Sequence, residues 1–379
     1  TSVIFVNKGS VAANTAAYGW GEKTVEIVTS GGTYTARVDI ITKVLTTAAD
    51  ITNLDSFMLE LEGSSTGAVG GYFILGGNID MENAVVAGVG GEPTVATAGS
   101  GNGASTFTAT RAFKGIFDGK GYAISNFKIT DKFGGLFSMI GVGGIFRNTA
   151  LVNFTVGAAS APAAGVAYIA EGATIHDVFV KGTVYAQYAS KQTDFNSLIV
   201  GHVNKMGADA AKKTTIHDVI AVVENWTVVA ASERFGAVIG AIDPVEYYKG
   251  QHDIYNVYSV NLTGPAGTLG GVVYGSMTSG ESARYVPAVS TEYRGRGSNM
   301  MGASQTEAST HTDSHTLATL ATSGGNGDIA QQMKDGNIRS FQQNADIALW
   351  LSYGNLFAGF TSTVWVKDAA ALPTFKTAA

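Results

Sequence analysis

ATIHDV at residues 173–178 returns as TTIHDV at 214–219. A His-Asp pair in one place invites a catalytic or metal-binding reading, but two copies raise the alternative of a structural repeat. Looser relatives decide between them: IYNV at 254–257, ISNF at 124–127 and, more distantly, IFRN at 145–148. Across these copies the apolar ends persist while the middle changes from Ser to His to Tyr. Chemistry does not survive such exchanges, whereas packing does. Ile175, Val178, Ile216 and Val219 therefore read as inward positions of stacked rungs, and His176-Asp177 and His217-Asp218 as the surface corners between them.

A second recurring element sits between these copies, glycine followed by apolar residues: FGGLFSMI (133–140), GVAYIA (165–170), SLIVGHV (197–203), FGAVIGAI (235–242) and LGGVVYGS (269–276). The two elements alternate with a period of roughly 30–40 residues, the spacing of a repeat array. Each is too short to bury a face alone, so stacking into a parallel sheet at about 4.8 Å per rung is the physical solution. Glycine supplies tight bends, and Asn or Asp tolerates the left-handed backbone that corners need. These features predict a parallel β-helix, right-handed by the strong preference of parallel crossovers. A β-propeller needs regular hairpin turns, which are scarce here.

The segments FKGIFDGKGYAISNFKI (113–129) and FGGLFSMIGVGGIFRNTALVNFTV (133–156) resemble the GLUG-type β-helix repeats of bacterial surface proteins. GGYFILGGNIDM, within 67–81, resembles the strand that precedes such repeats, and FTSTVWVKDAAALPTF (360–375) resembles their ending, with Ala369–Ala371 in place of an Asp-Gly turn. The resemblance covers about half the chain; FDGKGYAISNF is its specific part. It implies an extracellular β-helix scaffold and no catalytic residues. Upstream, TVEIVTSGGTYTARVDII (24–41) alternates with period two around Ser30-Gly31-Gly32, a hairpin signal. It is similar to the closing strands of bacterial immunoglobulin-like domains, which implies a partial Ig-like β-sandwich over 1–44.

The parallel β-helix is expected over 45–294. It starts with a short helix, where Thr47 and Asp50 have capping-box spacing before Ile51, Leu54 and Phe57. Met58–Glu62 and Tyr72–Asp80 read as extended pieces. Residues 295–327 are Ser/Thr-rich and poor in large apolar side chains, so they read as a polar surface loop. Residues 328–379 hold a short helix, DIAQQMK, and then Phe341, Trp350, Phe360 and Trp365, expected as an aromatic C-terminal cap over the open end of the coil.

Composition narrows the function classes. Of 379 residues, 49 are Gly, only 14% are charged and the net charge is −6. No basic stripe exists to neutralise phosphates, which argues against nucleic acid. No apolar run approaches the roughly 18 residues of a membrane span. Cysteine is absent, so disulfides and thiolate metal sites are excluded. Thr1, preceded by no initiator Met and followed by no signal-like segment, reads as the start of a processed or excised piece.

Candidate chemistry is sparse. His311, Asp313 and His315 alternate along the chain, and on an extended strand all three would face one way, as a Zn²⁺ or Ni²⁺ site needs; the competing reading is a solvated polar loop. Tyr247, Tyr248, Tyr255 and Tyr258 are candidates for stacking on sugar rings, or ordinary packing over a coil face. Among carboxylates, Asp118, Asp131, Asp177, Asp194, Asp218 and Asp253 make no compact pair of the kind glycoside hydrolysis requires. Asn153, Asn225 and Asn261 each open an N-x-Thr pattern, better explained as rung structure.

The expectation is thus an all-β, non-catalytic structural or adhesive protein without cofactors, extracellular, on a bacterial cell surface or the exterior of a phage particle. Its partners are a cell-surface glycan or protein, or other virion proteins, and a phage fibre would be a homotrimer. The alternative is a polysaccharide-degrading β-helix lyase or hydrolase.

Overall fold

The computed structural model describes residues 19–62, 67–97, 106–108, 111–158, 161–186, 196–204, 213–228, 235–242, 252–261, 338–341, 360, 362–368 and 371–375. Over these the chain is all-β, with two short helices. None of the described helices is long and apolar enough to cross a membrane.

Two parallel sheets dominate. The larger runs through Ile338–Phe341, His252–Asn261, Thr214–Val228, Thr174–Ala186, Ile145–Val156, Ile116–Asp118, Tyr72–Leu75 and Lys43–Leu45, with Ala123–Ile129 and Ile79–Val85 branching from Ile145–Val156. The smaller runs through Ile239–Ile242, Val200–Val203, Ala167–Ala170, Phe137–Ile140, Arg111–Phe113 and Gly67–Val69. The chain visits them alternately: Ile145–Val156 leads to Ala167–Ala170 in the other sheet, then back to Thr174–Ala186 beside its predecessor. A third, shorter line of parallel contacts joins Ala164 to Ser197, and Asn196–Ser197 to Phe235–Gly236. The two recurring sequence elements are therefore the two sheets. FGGLFSMI, GVAYIA, SLIVGHV and FGAVIGAI align as Phe137, Ala167, Val200 and Ile239; LGGVVYGS lies outside the described residues.

Register makes the core a set of ladders. Phe73, Phe117, Phe146, Ile175, Ile216 and Ile254 form one continuous line, and the first five are at most 1% exposed. Phe117 stacks on Phe146 at 5.1 Å and 10°, and Phe127 on Phe154 at 4.9 Å and 8°. Those separations are close to the rung spacing of a sheet, about 4.7–4.9 Å. Phe146 packs the larger sheet's inner face edge-on against Phe137 of the smaller one, within one core cluster that also holds Ile175.

The long strands turn without breaking because one residue at each corner adopts a left-handed backbone. Asn126, Asn148, Asn153, Asp177 and Asp218 have φ of 57°, 51°, 53°, 52° and 54°. Asn and Asp enter that region more easily than other residues bearing a Cβ. Close approach explains selected glycines as well: a Cβ on Gly165, in GVAYIA, would run into the Leu198 carbonyl of the next rung.

Two details correct the reading of the sequence. ISNF does not share a corner with IHDV: Ile124 aligns with Leu151 and then Val180, so ISNF and LVNF (151–154) form a second corner line at Asn126 and Asn153. The first corner is supplied by Phe146-Arg147-Asn148, with Phe117-Asp118 below it. Met58–Glu62 is not extended; it belongs to the helix Leu54–Glu62. Leu54 and Met58, four apart, both face the core at 3% and 0% exposure, so helical period fits where alternation also seemed to. The preceding helix, Ala48–Thr52, has the expected capping box: Asp50 N–H donates to Thr47 Oγ1, and Thr47 N–H donates to Asp50 Oδ2 at 3.0 Å. Both helices pack at the end where Lys43–Leu45 and Gly67–Val69 are terminal strands, placing Ile51, Leu54 and Met58 in the core.

Gly21–Thr29 and Gly32–Ile40 pair antiparallel as a two-stranded hairpin, turning at Ser30-Gly31. At the other terminus Trp365–Asp368 pairs antiparallel with Ala371–Phe375. Residues 295–327, DIAQQMK and Trp350 lie outside the described residues.

Candidate functional site: a polar seam along one corner

Among the described residues, one corner line brings several chemically capable side chains into register. Asp118, Arg147, His176, His217 and Tyr255 occupy one register position on five successive rungs. The position alternates with the buried line beside it, so Arg147, His176 and His217 point away from the core and are partly exposed, while Asp118 is covered.

At the upper rungs the two histidines repeat the same arrangement. His176 Nδ1 lies 2.8 Å from Asp177 Oδ2, and His217 Nδ1 lies 2.9 Å from Asp218 Oδ2. An ionised carboxylate only accepts, so each imidazole carries its proton on Nδ1. The left-handed backbone at Asp177 and Asp218 turns each carboxylate back toward the preceding histidine. With register locked, the rings stack at 4.9 Å and 7°. The histidine side chains are 20% and 19% exposed, their aspartates 7% and 11%. Asp177 has a further partner: the Trp365 indole N–H donates to its Oδ1 at 2.7 Å.

This contact also corrects the position expected for Trp365. It sits against the larger sheet at Asp177, three strands in from the Ile338–Phe341 edge, rather than over an open end. Phe360 and Phe375 meet the indole edge-on at 4.8 Å and 4.5 Å.

At the lower rungs the seam becomes an ion cluster. Asp118, 1% exposed, accepts from Arg147 Nε at 2.9 Å, Asn148 Nδ2 at 3.0 Å and the Lys120 backbone N–H at 2.8 Å. Lys120 Nζ lies 3.2 Å from Asp118 and 3.0 Å from the Tyr72 hydroxyl. Arg147 reaches on to Glu22 Oε1 at 2.6 Å, and Lys120 to Asp39 Oδ2 at 3.4 Å. Glu22 and Asp39 belong to the N-terminal hairpin, so the cluster fastens that hairpin to the larger parallel sheet. Burial acts to raise the Asp118 pKa, but the Asn148 and Lys120 hydrogen bonds and the Arg147 and Lys120 charges outweigh it and hold the carboxyl below its ordinary value. Burial likewise opposes the charge on Lys120 and Arg147, yet their hydrogen bonds and anionic neighbours raise both. Burial raises Tyr72, keeping the phenol neutral.

The remaining candidates are dispersed. His311, Asp313, His315, Tyr247, Tyr248 and Asp194 lie outside the described residues. Tyr255 and Tyr258 share the strand His252–Asn261, Tyr255 in register with His217 and Tyr258 with buried Ile220. Asp131 is exposed in a turn, and Asp253 stands opposite Thr215. Asn153 and Asn225 are exposed strand residues, and Asn261 ends its strand. Among the described residues no group of three or more His, Asp or Glu converges as a metal site.

The ion cluster was missed from sequence because its members come from residues 22, 39, 72, 118, 120 and 147. Arg147 in IFRN, standing where IHDV has His, was the available signal.

No protein-family model, curated protein or solved structure matches the chain.

Proposed function

We propose that this chain is a right-handed parallel β-helix of the GLUG-repeat type, preceded by a partial immunoglobulin-like stalk, and that it serves as a non-catalytic structural or adhesive protein displayed on a bacterial cell surface or the outside of a phage particle. The observation that carries this reading is the corner line itself. The two His-Asp pairs, the feature most suggestive of catalysis, occupy equivalent positions on neighbouring rungs and each serves to shape its own corner. Asp118 is engaged by Arg147, Lys120 and Asn148 rather than facing a second carboxylate across a cleft. A rigid coil with low charge and an outer surface of variable residues fits display, with a cell-surface glycan, a surface protein or other virion proteins as partner. Right-handedness rests on the crossover preference of parallel strands.

Quantitative peptide mass spectrometry on purified phage particles and on cell-wall fractions tests the setting; enrichment in neither overturns surface display. Incubation with a panel of acidic polysaccharides tests the absence of catalysis. Polymer mass stays constant on this reading, and chain shortening replaces it with a lyase or hydrolase. Light scattering then separates the two settings, a trimer favouring the phage fibre.

A further inference from the structure

We propose that His176 and His217 together bind one late first-row divalent metal ion of the Ni²⁺, Cu²⁺ or Zn²⁺ class, as a two-imidazole site completed by water. Each imidazole has the carboxylate backing of a metal ligand. In metal sites a ligating histidine commonly donates its other ring N–H to a carboxylate, which fixes the tautomer and raises the basicity of the ligating nitrogen. Both rings have that backing, from Asp177 at 2.8 Å and Asp218 at 2.9 Å, through the same nitrogen, Nδ1. Nε2 is then the ligand atom on each ring, and the two rings lie nearly parallel at 7° with centroids 4.9 Å apart. Parallel pairing on adjacent rungs and a left-handed corner after each histidine hold the pair in place.

Charge and softness select the ion. Two carboxylates stand behind the imidazoles, while the nearest cation in the line, Arg147, is engaged by Asp118 and Glu22. Imidazole suits Cu²⁺, Ni²⁺ and Zn²⁺, whereas Mg²⁺ and Ca²⁺ prefer oxygen. Metal–nitrogen bonds of about 2.0–2.1 Å require the two Nε2 atoms to come closer than the rings now stand. The rings therefore tilt toward each other about their carboxylate contacts, giving up the 4.9 Å stack. With only two protein ligands, binding is expected in the micromolar range rather than tighter, as fits a surface site.

The test is isothermal titration of the full-length protein with NiCl₂ and with ZnCl₂ near neutral pH. His311 and His315 are a second possible chelator, so the comparison is made in the H311N/H315N background. The expected result is one ion per chain in that background, with affinity lowered at least tenfold by His176→Asn or His217→Asn. Asp218→Asn, which leaves both ligands in place, is expected to lower affinity about 10–100-fold. Cu²⁺ bound to the H311N/H315N protein should give an EPR spectrum with two equatorial imidazole nitrogens, a readout that needs no change in the ladder. Loss of binding in H311N/H315N, binding indifferent to His176→Asn and His217→Asn, or a single-nitrogen spectrum each overturns the proposal.

Discussion

Trp365 and Asp177, 188 positions apart in the chain, are joined by a 2.7 Å hydrogen bond from the indole N–H to a carboxylate that also accepts from His176. The bond ties the C-terminal hairpin to the strand Thr174–Ala186 of the larger sheet. Trp365→Phe keeps an aromatic ring between Phe360 and Phe375 but removes the donor, leaving a buried carboxylate oxygen short of a partner. The expected loss is about 1–3 kcal/mol. Asp177→Asn tolerates the same corner backbone and weakens the same bond. In urea unfolding the double variant should lose clearly less than the two single losses together; strict additivity would show that this bond does not carry the docking.

The corners make a sharper prediction because backbone and side chain can be separated there. Asn153 is exposed and holds φ at 53°. Glycine adopts that conformation without a steric penalty, whereas a β-branched side chain meets the following carbonyl. Asn153→Val should therefore cost about 1–2 kcal/mol, and Asn153→Gly markedly less. Equal losses would mean that the side chain, and not the left-handed backbone, is what the corner requires. Thermal unfolding of both variants under one buffer makes the comparison.

The repeats were legible because a parallel ladder imposes one demand on every rung: an apolar residue in, a small polar residue at the turn. Ile175, Ile216 and Val200 satisfy it visibly. The line to which ISNF belongs was not legible, since two successive corners both call for apolar-x-Asn and only strand register tells Asn126 from Asn148. Met58–Glu62 misled because MLELE satisfies period two, while Leu54 and Met58 satisfy the helical period as well. Trp365 and the Asp118 cluster depend on contacts between distant segments, for which local pattern holds no signal.

The Asp118 cluster should show itself in acid. Hydrogen bonding and charge at Arg147 lower Glu22 below its ordinary 4.5, and Asn148, Lys120 and Arg147 lower Asp118 below its ordinary 3.8 against the effect of burial. A carboxylate whose pKa is lower folded than unfolded adds stability above its unfolded value. That stability is lost as pH falls from there toward the folded value. The cluster's contribution is therefore constant from pH 7 to about 5 and declines below roughly 4.5. Arg147→Gln leaves Asp118 buried with less compensation, at an expected cost of about 3–5 kcal/mol near neutral pH. The gap between the variant and the native chain should narrow as both are acidified, because protonated Asp118 no longer needs the guanidinium. A gap independent of pH would assign the loss to packing of the Arg147 side chain instead.

Phe146 tests whether the coil behaves as a stack of rungs. It is fully buried, stacked on Phe117 at 5.1 Å, edge-on to Phe137 at 6.2 Å, and followed in the same line by Ile175. Phe146→Ala opens a cavity between the two sheets and should cost about 3–5 kcal/mol. Phe146→Ile places at this rung the residue that the line itself uses at 175 and 216, so it should lose the aromatic pair, about 0.5–1.5 kcal/mol, plus a smaller cavity. Because each rung touches only its neighbours, the damage should spread unevenly. Hydrogen exchange in Phe146→Ala is expected to rise first at 116–118 and 174–178, on the flanking rungs, and last at 43–45, three strands away at the edge of the sheet. Uniform acceleration across all three would mean that the described coil unfolds as one cooperative unit, and that rung-by-rung stability is the wrong physical picture for it.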